Sequence, residues 1–317
     1  MEINYLILTH KNPKQLARLV SKMQAPMVNF FIHVDGNKED STFKRFLSSF
    51  ENIYFLPNHL RKKIIWGDIS MIEATLHLMQ EASRNDANGY FILLSGQDYP
   101  LASNDRIQNF LKQNYGTCYT SLFKLPHHGW ENGGLNRINR YKINKSPQRK
   151  HFLWLPSIFD SNFYSNQIPG KLNFLRKSGN WRNLFLIFRK RSHPKYITAY
   201  GGGQWWALPL EIVKKIINFH HSHPDYFKYH RYTLAPDELF FHSILMHLHK
   251  EKVFSIGRSL TYVNWERETG PLPVTFESQD FKELKRASEK HLFARKFDIE
   301  KDQEIMDRID KELLEIE

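Results

Sequence analysis

The sequence predicts an α/β protein in which a mostly parallel central sheet is flanked by helices. Short apolar runs alternate with amphipathic helical stripes from residue 3 to residue 121. The runs are apolar on both faces, as strands of a covered parallel sheet must be, and polar turns follow them directly. With 317 residues, 41% hydrophobic and 14% aromatic, the chain has enough apolar surface to exclude disorder as its main state. Its longest clean apolar runs, 91–94 and 184–188, fall far short of the ~20 residues of a membrane-spanning helix.

Residues 4–9 (NYLILT) form the first strand. Pro13 stands where a first helical turn tolerates proline, and Leu16, Leu19, Val20 and Met23 make a helical stripe after it. Residues 29–34 (NFFIHV) form the second strand, closed by the turn Asp35-Gly36. Ser41 caps a helix through Phe50, residues 53–56 make a third strand, and residues 69–82 a longer helix with Ser70 near its start. Residues 90–94 are the fourth strand, followed by Ser95-Gly96-Gln97-Asp98; a helix over 105–113 and a strand over 117–121 complete this half.

The stretch 126–200 reads as an irregular, basic and aromatic insertion. Arg137, Arg140, Lys142, Lys145, Arg149 and Lys150 form one cluster, and Arg182 with Arg189-Lys190-Arg191 surrounds the apolar patch 184–188. Order returns at Gly201-Gly202-Gly203, with helices expected over 209–219 and 237–249 and a polar helix over 301–317. No linker divides the chain, so a single domain in three parts is expected: 1–125, the insertion 126–200, and 201–317.

Lys and Arg number 45 against 33 Asp and Glu, a net charge of +12. Such a surplus attracts anions: nucleic acid, acidic lipid or phosphate-bearing substrates. The sole cysteine, Cys118, cannot form an internal disulfide, and nothing at Met1 resembles a secretion signal. A reduced, cytoplasmic protein is the expectation.

In parallel sheets ligands bind outside the carboxyl ends of the strands, which directs attention to Thr9-His10-Lys11, 33–36 and 95–100. Neither a Walker sequence nor a GxGxxG motif is present, and the 16 histidines show no HExxH. No metal site is expected. A DxD pair is also missing after the candidate strands, so side-chain cations would have to stabilise an anionic leaving group. Ala235-Pro236-Asp237-Glu238 reads either as a helix start with favourable dipole placement or as a carboxylate base beside Trp205 and Trp206. The tryptophans, with Trp66 and Trp265, fit core packing and sugar stacking alike. The basic insertion lacks an RRM, KH or helix-turn-helix pattern, and no nucleic-acid partner is expected; residues 182–191 fit peripheral contact with an anionic membrane or a solvated loop.

Read together, seven stretches resemble the Core-2/I-branching β-1,6-N-acetylglucosaminyltransferase family (glycosyltransferase family 14), which also includes peptide O-xylosyltransferases. They are 5–11 (YLILTHK), 31–35 (FIHVD), 66–74 (WGDISMIEA), 93–101 (LLSGQDYPL), 203–208 (GQWWAL), 235–238 (APDE) and 291–298 (HLFARKFD), in order over nearly the whole chain. The resemblance implies a GT-A-like fold with a Rossmann-like sheet and an inverting, metal-independent transfer from a UDP-sugar. It implies that 1–125 is the nucleotide-sugar-binding half and 201–317 the acceptor and catalytic half. By motif position the catalytic base falls on Glu238, the pyrophosphate-binding lysine on Lys296 and the uridine contact on Asp35. His10 and Trp66 join the donor side; Gln97, Asp98, Gln204, Trp205 and Trp265 join the acceptor side. The family's arginine partner for that lysine is missing from 270–275, so Arg267 or Arg295 would substitute. The donor implied is UDP-GlcNAc or UDP-xylose and the acceptor a glycan. Without the disulfides and the membrane anchor of the vertebrate enzymes, a bacterial-type cytoplasmic member is expected, peripheral at the inner face of the membrane if 182–191 meets lipid. A non-enzymatic binder of polyanions or glycans is the reading from another class.

Overall fold

The computed structural model describes residues 1–164, 167–179, 181–251 and 254–315. A seven-stranded sheet runs, edge to edge, Ser255–Gly257, Thr117–Tyr119, Ala207–Pro209, Gly89–Ser95, Glu2–Thr9, Val28–Val34 and Ile53–Phe55. The strand Ala207–Pro209 lies antiparallel to both neighbours; the other pairings are parallel. The fold is therefore mixed α/β with a mostly parallel sheet. Strands from 1–125 and from beyond 200 alternate within it, so the two outer parts of the chain share one sheet.

Alternation along the strands builds two cores. Ile3, Tyr5, Ile7, Phe30, Ile32, Tyr90, Ile92 and Leu94 face one way, covered by the helices Pro13–Lys22, Asn104–Gln113 and Phe281–Ala287. Leu6, Leu8, Phe31, Phe91 and Leu93 face the other way, under Ser70–Ala82, Leu210–Ser222 and Phe240–Leu248. Since side chains at i and i+2 share a face, a wholly apolar strand needs a cover on each side.

Several expected elements differ in extent or character. The second helix is Ser41–Phe46, preceded by Asp40, and the Ser48 hydroxyl bonds back to the Arg45 carbonyl (3.0 Å) where it stops. The segment expected as one helix over 237–249 is a 3-10 turn, Pro236–Glu238, then a break at Leu239, then Phe240–Leu248. The two carboxylates thus precede the helix and gain no place in its first turn. The tail is not a polar helix over 301–317: Glu304–Ile309 buries Ile305, Met306 and Ile309 and continues as a π-helical turn, Asp310–Leu314. Three apolar residues suffice to dock it, and Asp310 receives the Tyr99 hydroxyl (2.7 Å) and the Arg18 guanidinium (2.7 Å).

The insertion is more ordered than its composition suggests. Tyr141–Asn144 and Phe152–Leu155 form an antiparallel pair, and Tyr141, Ile143, Leu153 and Leu155 close with Leu175 of the helix Ile168–Lys177 into a small core of their own. Each strand is only four residues long and Phe152–Leu155 is apolar throughout, so no polar alternation marks the pair in the sequence.

Candidate active site

The carboxyl ends of three adjacent strands are laced together by their backbones. The Asp35 N–H donates to the Thr9 carbonyl (2.8 Å) and the Gly96 N–H to the Leu8 carbonyl (3.0 Å), so His10, Asp35 and Gly96 stand side by side. His10 lies within electrostatic reach of Asp35, Lys38 and Arg295. Burial pushes His33 down to about pH 4, which keeps its ring neutral, and its Nε2 accepts the Lys62 N–H (2.9 Å). That bond holds 62–64 over the strand ends. Asp35 Oδ1 accepts the Ile64 N–H (3.1 Å), the Asn37 N–H (2.9 Å) and the Asn37 amide (3.0 Å); Oδ2 takes none of these.

The segment around Lys296 crosses the same end of the sheet. The buried Gln15 amide donates to the carbonyls of Gly96 (3.0 Å) and Phe297 (3.1 Å) and accepts the Ile299 N–H (2.8 Å). The strand Phe293–Arg295 pairs with Asp98–Pro100 so that Arg295 lies directly opposite Asp98, 3.1 Å between charged atoms. Burial pulls both partners towards their neutral forms and the pairing pulls them back. Lys296 is displaced below its usual range, first by burial and then by the positive charges of Arg295, Arg149 and Lys11, with Asp298 opposing. Arg295 and Lys11 have carboxylate partners in Asp98 and Asp298 (2.6 Å), whereas Arg149 and Lys296 have none among the described residues. A polyanion entering here would relieve their repulsion.

Glu238 is positioned by a close backbone approach. The Gly202 N–H donates to the Glu238 carbonyl (3.0 Å), and a Cβ on Gly202 would stand 1.9 Å from the Ser121 carbonyl oxygen. The triple glycine is a packing contact. Ala235 holds a positive φ of 47° while its N–H donates to the Gly67 carbonyl (3.1 Å). The Glu238 carboxylate takes Arg137 Nη1 on Oε2 at 2.5 Å, and the Arg137 guanidinium lies 3.7 Å above the Trp130 ring. Its neighbour Asp237 is buried, and burial with the adjacent Glu238 charge raises its pKa to about 7.

These contacts close into a rim. Glu238 bonds Gly202, three residues before Trp205; Arg295 covers the Trp205 ring at 4.1 Å; Lys296 follows Arg295 and feels Arg149; Arg149 lies 4.9 Å over Trp66; and Gly67 bonds Ala235, three residues before Glu238. Glu238, Lys296, Arg295, Trp66 and Trp205 therefore sit on segments that contact one another in a closed series, a rim, with His10, Asp35 and Gln97 at the adjoining strand ends. Glu238 and Lys296 make no direct contact.

Other expected site residues are placed differently. The Asp98 side chain has no exposed surface, its oxygens being taken by the Ser95 N–H (2.8 Å), the Ser95 hydroxyl (3.0 Å) and Arg295. It positions Arg295 instead of meeting an acceptor. Gln97 is half-buried with its amide 3.4 Å from the Phe297 carbonyl, and Gln204 is half-buried with a buried Nε2 that has no hydrogen-bond partner. Arg267 pairs with Asp280 (2.7 Å) and Glu283 (3.7 Å). Trp265 is 57% exposed on the loop whose Val274 carbonyl accepts the Lys296 N–H (3.2 Å). Trp206 is a core residue against Phe241.

Sequence reasoning grouped Arg137, Lys142 and Arg149 as one basic cluster and did not connect them to the site. Lys142 is buried and pairs with Asp68 (3.3 Å), which also receives the Asn144 amide (2.7 Å). One signal existed: a lysine set between apolar residues of a β-alternating run has to find a buried partner. Among the described residues, no group of three or more His, Cys, Asp or Glu could hold a metal ion.

A family model described as Core-2/I-Branching enzyme matches residues 3–288. The chain is 25% identical to xylosyltransferase 2 of Canis lupus familiaris over 98% of its own length and 33% of that protein's. It is 26% identical to xylosyltransferase oxt of Drosophila melanogaster over 92% and 31%. It thus spans about a third of the length of the curated relatives it matches. The crystal structure of mouse xyloside xylosyltransferase 1 in its apo form aligns over 93% of this chain and 97% of that one at 12% identity, with a TM-score of 0.38, too slight a likeness to add to the reading. On the family match, which spans most of the sequence and every stretch of the rim except that of Arg295 and Lys296, the chain is a member of the Core-2/I-branching enzyme family, a family of glycosyltransferases.

Proposed function

We propose that this chain is an inverting glycosyltransferase that moves a sugar from a UDP-sugar to a glycan hydroxyl without a divalent ion. The observation that carries the reading is the rim itself, which joins a carboxylate on one side to uncompensated cations on the other. Glu238 takes the proton from the acceptor hydroxyl on Oε1, while Arg137 on Oε2 keeps the carboxylate aimed; such general base action contributes about 10²–10⁴-fold. The hydroxyl oxygen attacks the anomeric carbon as the bond to UDP breaks on the opposite face, which inverts the configuration. Lys296 and Arg149 receive the charge that develops on the leaving diphosphate, and Arg295, fixed by Asp98, supports them. Asp35 accepts from uridine through its free oxygen. Family position favours transfer of GlcNAc in β-1,6 linkage, and the names of the xylosyltransferase relatives favour UDP-xylose as the second donor.

Glu238→Gln is expected to abolish transfer while UDP affinity is kept. Lys296→Ala is expected to weaken UDP binding and to cost about 10²–10³ in rate. Assays with UDP-GlcNAc and UDP-xylose, each with and without a chelator, check the reading. Equal loss of binding and turnover in Glu238→Gln would make Glu238 structural. Loss of turnover on chelation would remove the ion-free account, and absence of UDP release with any acceptor would leave a binding protein.

A further inference from the structure

Between residues 137 and 195 the chain carries 14 Lys and Arg and a single acidic residue, Asp160. That excess slightly exceeds the +12 of the whole protein, so the remainder of the chain is close to neutral. Six of these cations are engaged, Lys145 lying 5.3 Å from the Phe174 ring centre. Arg137, Arg140 and Lys142 pair with Glu238, Asp160 and Asp68; Arg149 lies on Trp66; and Arg191 is buried on the Arg137 and Arg140 carbonyls. The only carboxylate of the segment is therefore already used. Arg176, Lys177, Arg182, Arg189 and Lys190 are exposed and have no acidic partner among the described residues.

The same stretch exposes large aromatic side chains: Phe159 (62%), Tyr164 (77%), Trp181 (55%), Phe185 (68%) and Phe188 (60%). Trp181, Phe185 and Phe188 recur at i, i+4 and i+7 along two consecutive helical turns, Trp181–Leu184 and Phe185–Phe188, and share one face. The turns are not loose. Leu184, Leu186 and Ile187 pack on the insertion's own core, and the Ile158 N–H donates to the Ile187 carbonyl (2.8 Å). That bond, with the Tyr164 hydroxyl on the Ile158 carbonyl (3.2 Å), brings Phe159 and Tyr164 to the same edge. Apolar residues of this helical segment thus divide into an inward set that holds it and an outward aromatic set that no described residue covers.

We propose that this face docks on an anionic phospholipid bilayer, the aromatic rings entering the headgroup boundary and the five free cations meeting lipid phosphates. An exposed aromatic patch in a segment rich in unpaired cations is the surface that interfacial binding selects. Charge complementarity chooses the occupant: a second copy would set one basic ring against another, and a neutral protein groove would leave the cations unanswered. The inference stands apart from the donor chemistry, since none of these residues lines the rim.

The full chain is to be sedimented with vesicles of phosphatidylcholine alone and of phosphatidylcholine with phosphatidylglycerol. Binding at least about tenfold tighter to the anionic vesicles, weakened by salt, is expected. Phe185→Ser with Phe188→Ser is expected to lose that binding at low salt with circular dichroism and UDP-sugar turnover unchanged. The vesicle-induced blue shift of tryptophan fluorescence is expected to vanish in Trp181→Phe. Equal binding to both vesicle types, binding to neither, or binding indifferent to the two phenylalanines would overturn the proposal. So would a dimer that the double variant dissolves, or tight oligonucleotide binding that depends on Phe185 and Phe188.

Discussion

Asp237 and Glu238 are adjacent carboxylates with opposite surroundings. Glu238 reaches Arg137, whereas Asp237 is buried with no ion pair among the described residues, and burial beside Glu238 lifts it to about 7. A carboxyl group whose folded pKa lies above its unfolded value of about 4 binds more protons in the native state, so its contribution falls as pH rises from about 4 through 7. Asp237→Asn removes that penalty. The variant is expected to melt higher than the parent at pH 8 and at the same temperature at pH 4, as read by thermal denaturation. The identity of the Pro-Asp-Glu element was legible in the sequence. That its first carboxylate is buried and its second bound to Arg137 was not, because the arginine lies about a hundred residues away.

At the scale of elements, the Arg295–Asp98 pair shows how a strand fixes a functional group. Register places the two residues opposite each other, and Arg295 then turns its guanidinium onto Trp205. Removing one partner of a buried pair leaves the other charge uncompensated and typically costs about 3–5 kcal/mol. Asp98→Ala is expected to lose stability of that order in urea titration and to weaken UDP binding through a displaced Arg295. Asp98 was legible as part of a strand-end motif but not as the support of Arg295, since nothing in the sequence reveals that the strand Phe293–Arg295 pairs with Asp98–Pro100. The insertion makes the same point. Its hairpin strands are only four residues each, and Lys142 within them, with Arg137 before and Arg149 between, ties the insertion to Asp68, Glu238 and Trp66.

Across the whole molecule the buried histidines govern the response to acid. His33, His230 and His242 are buried, and burial lowers the first and last to about 4 and His230 well below its usual value. In the unfolded chain they titrate near 6.5, so between about 6.5 and 4 the unfolded state binds the extra protons. Each adds up to about 1.4 kcal/mol of lost stability per pH unit in that window, and Asp237 offsets one of the three. The melting temperature is therefore expected to fall as pH is lowered from 7 to 5, and to fall further, relative to its own neutral value, in Asp237→Asn. In the sequence the 16 histidines show no metal-binding motif and nothing that marks any of them as buried. Three of them are core residues, and only packing distinguishes the cases.

Local pattern determined much of this protein by itself. Apolar runs with polar turns specify strands and a mostly parallel sheet, because each strand's burial is written in its own residues. The motif stretches specify the family for the same reason, each being short and contiguous. Tertiary structure alone decided which cations face Glu238 and Lys296, which carboxylate is buried, and which aromatics stay in water. Those properties depend on pairs far apart in the chain, and electrostatic energy follows distance in space, not separation in sequence.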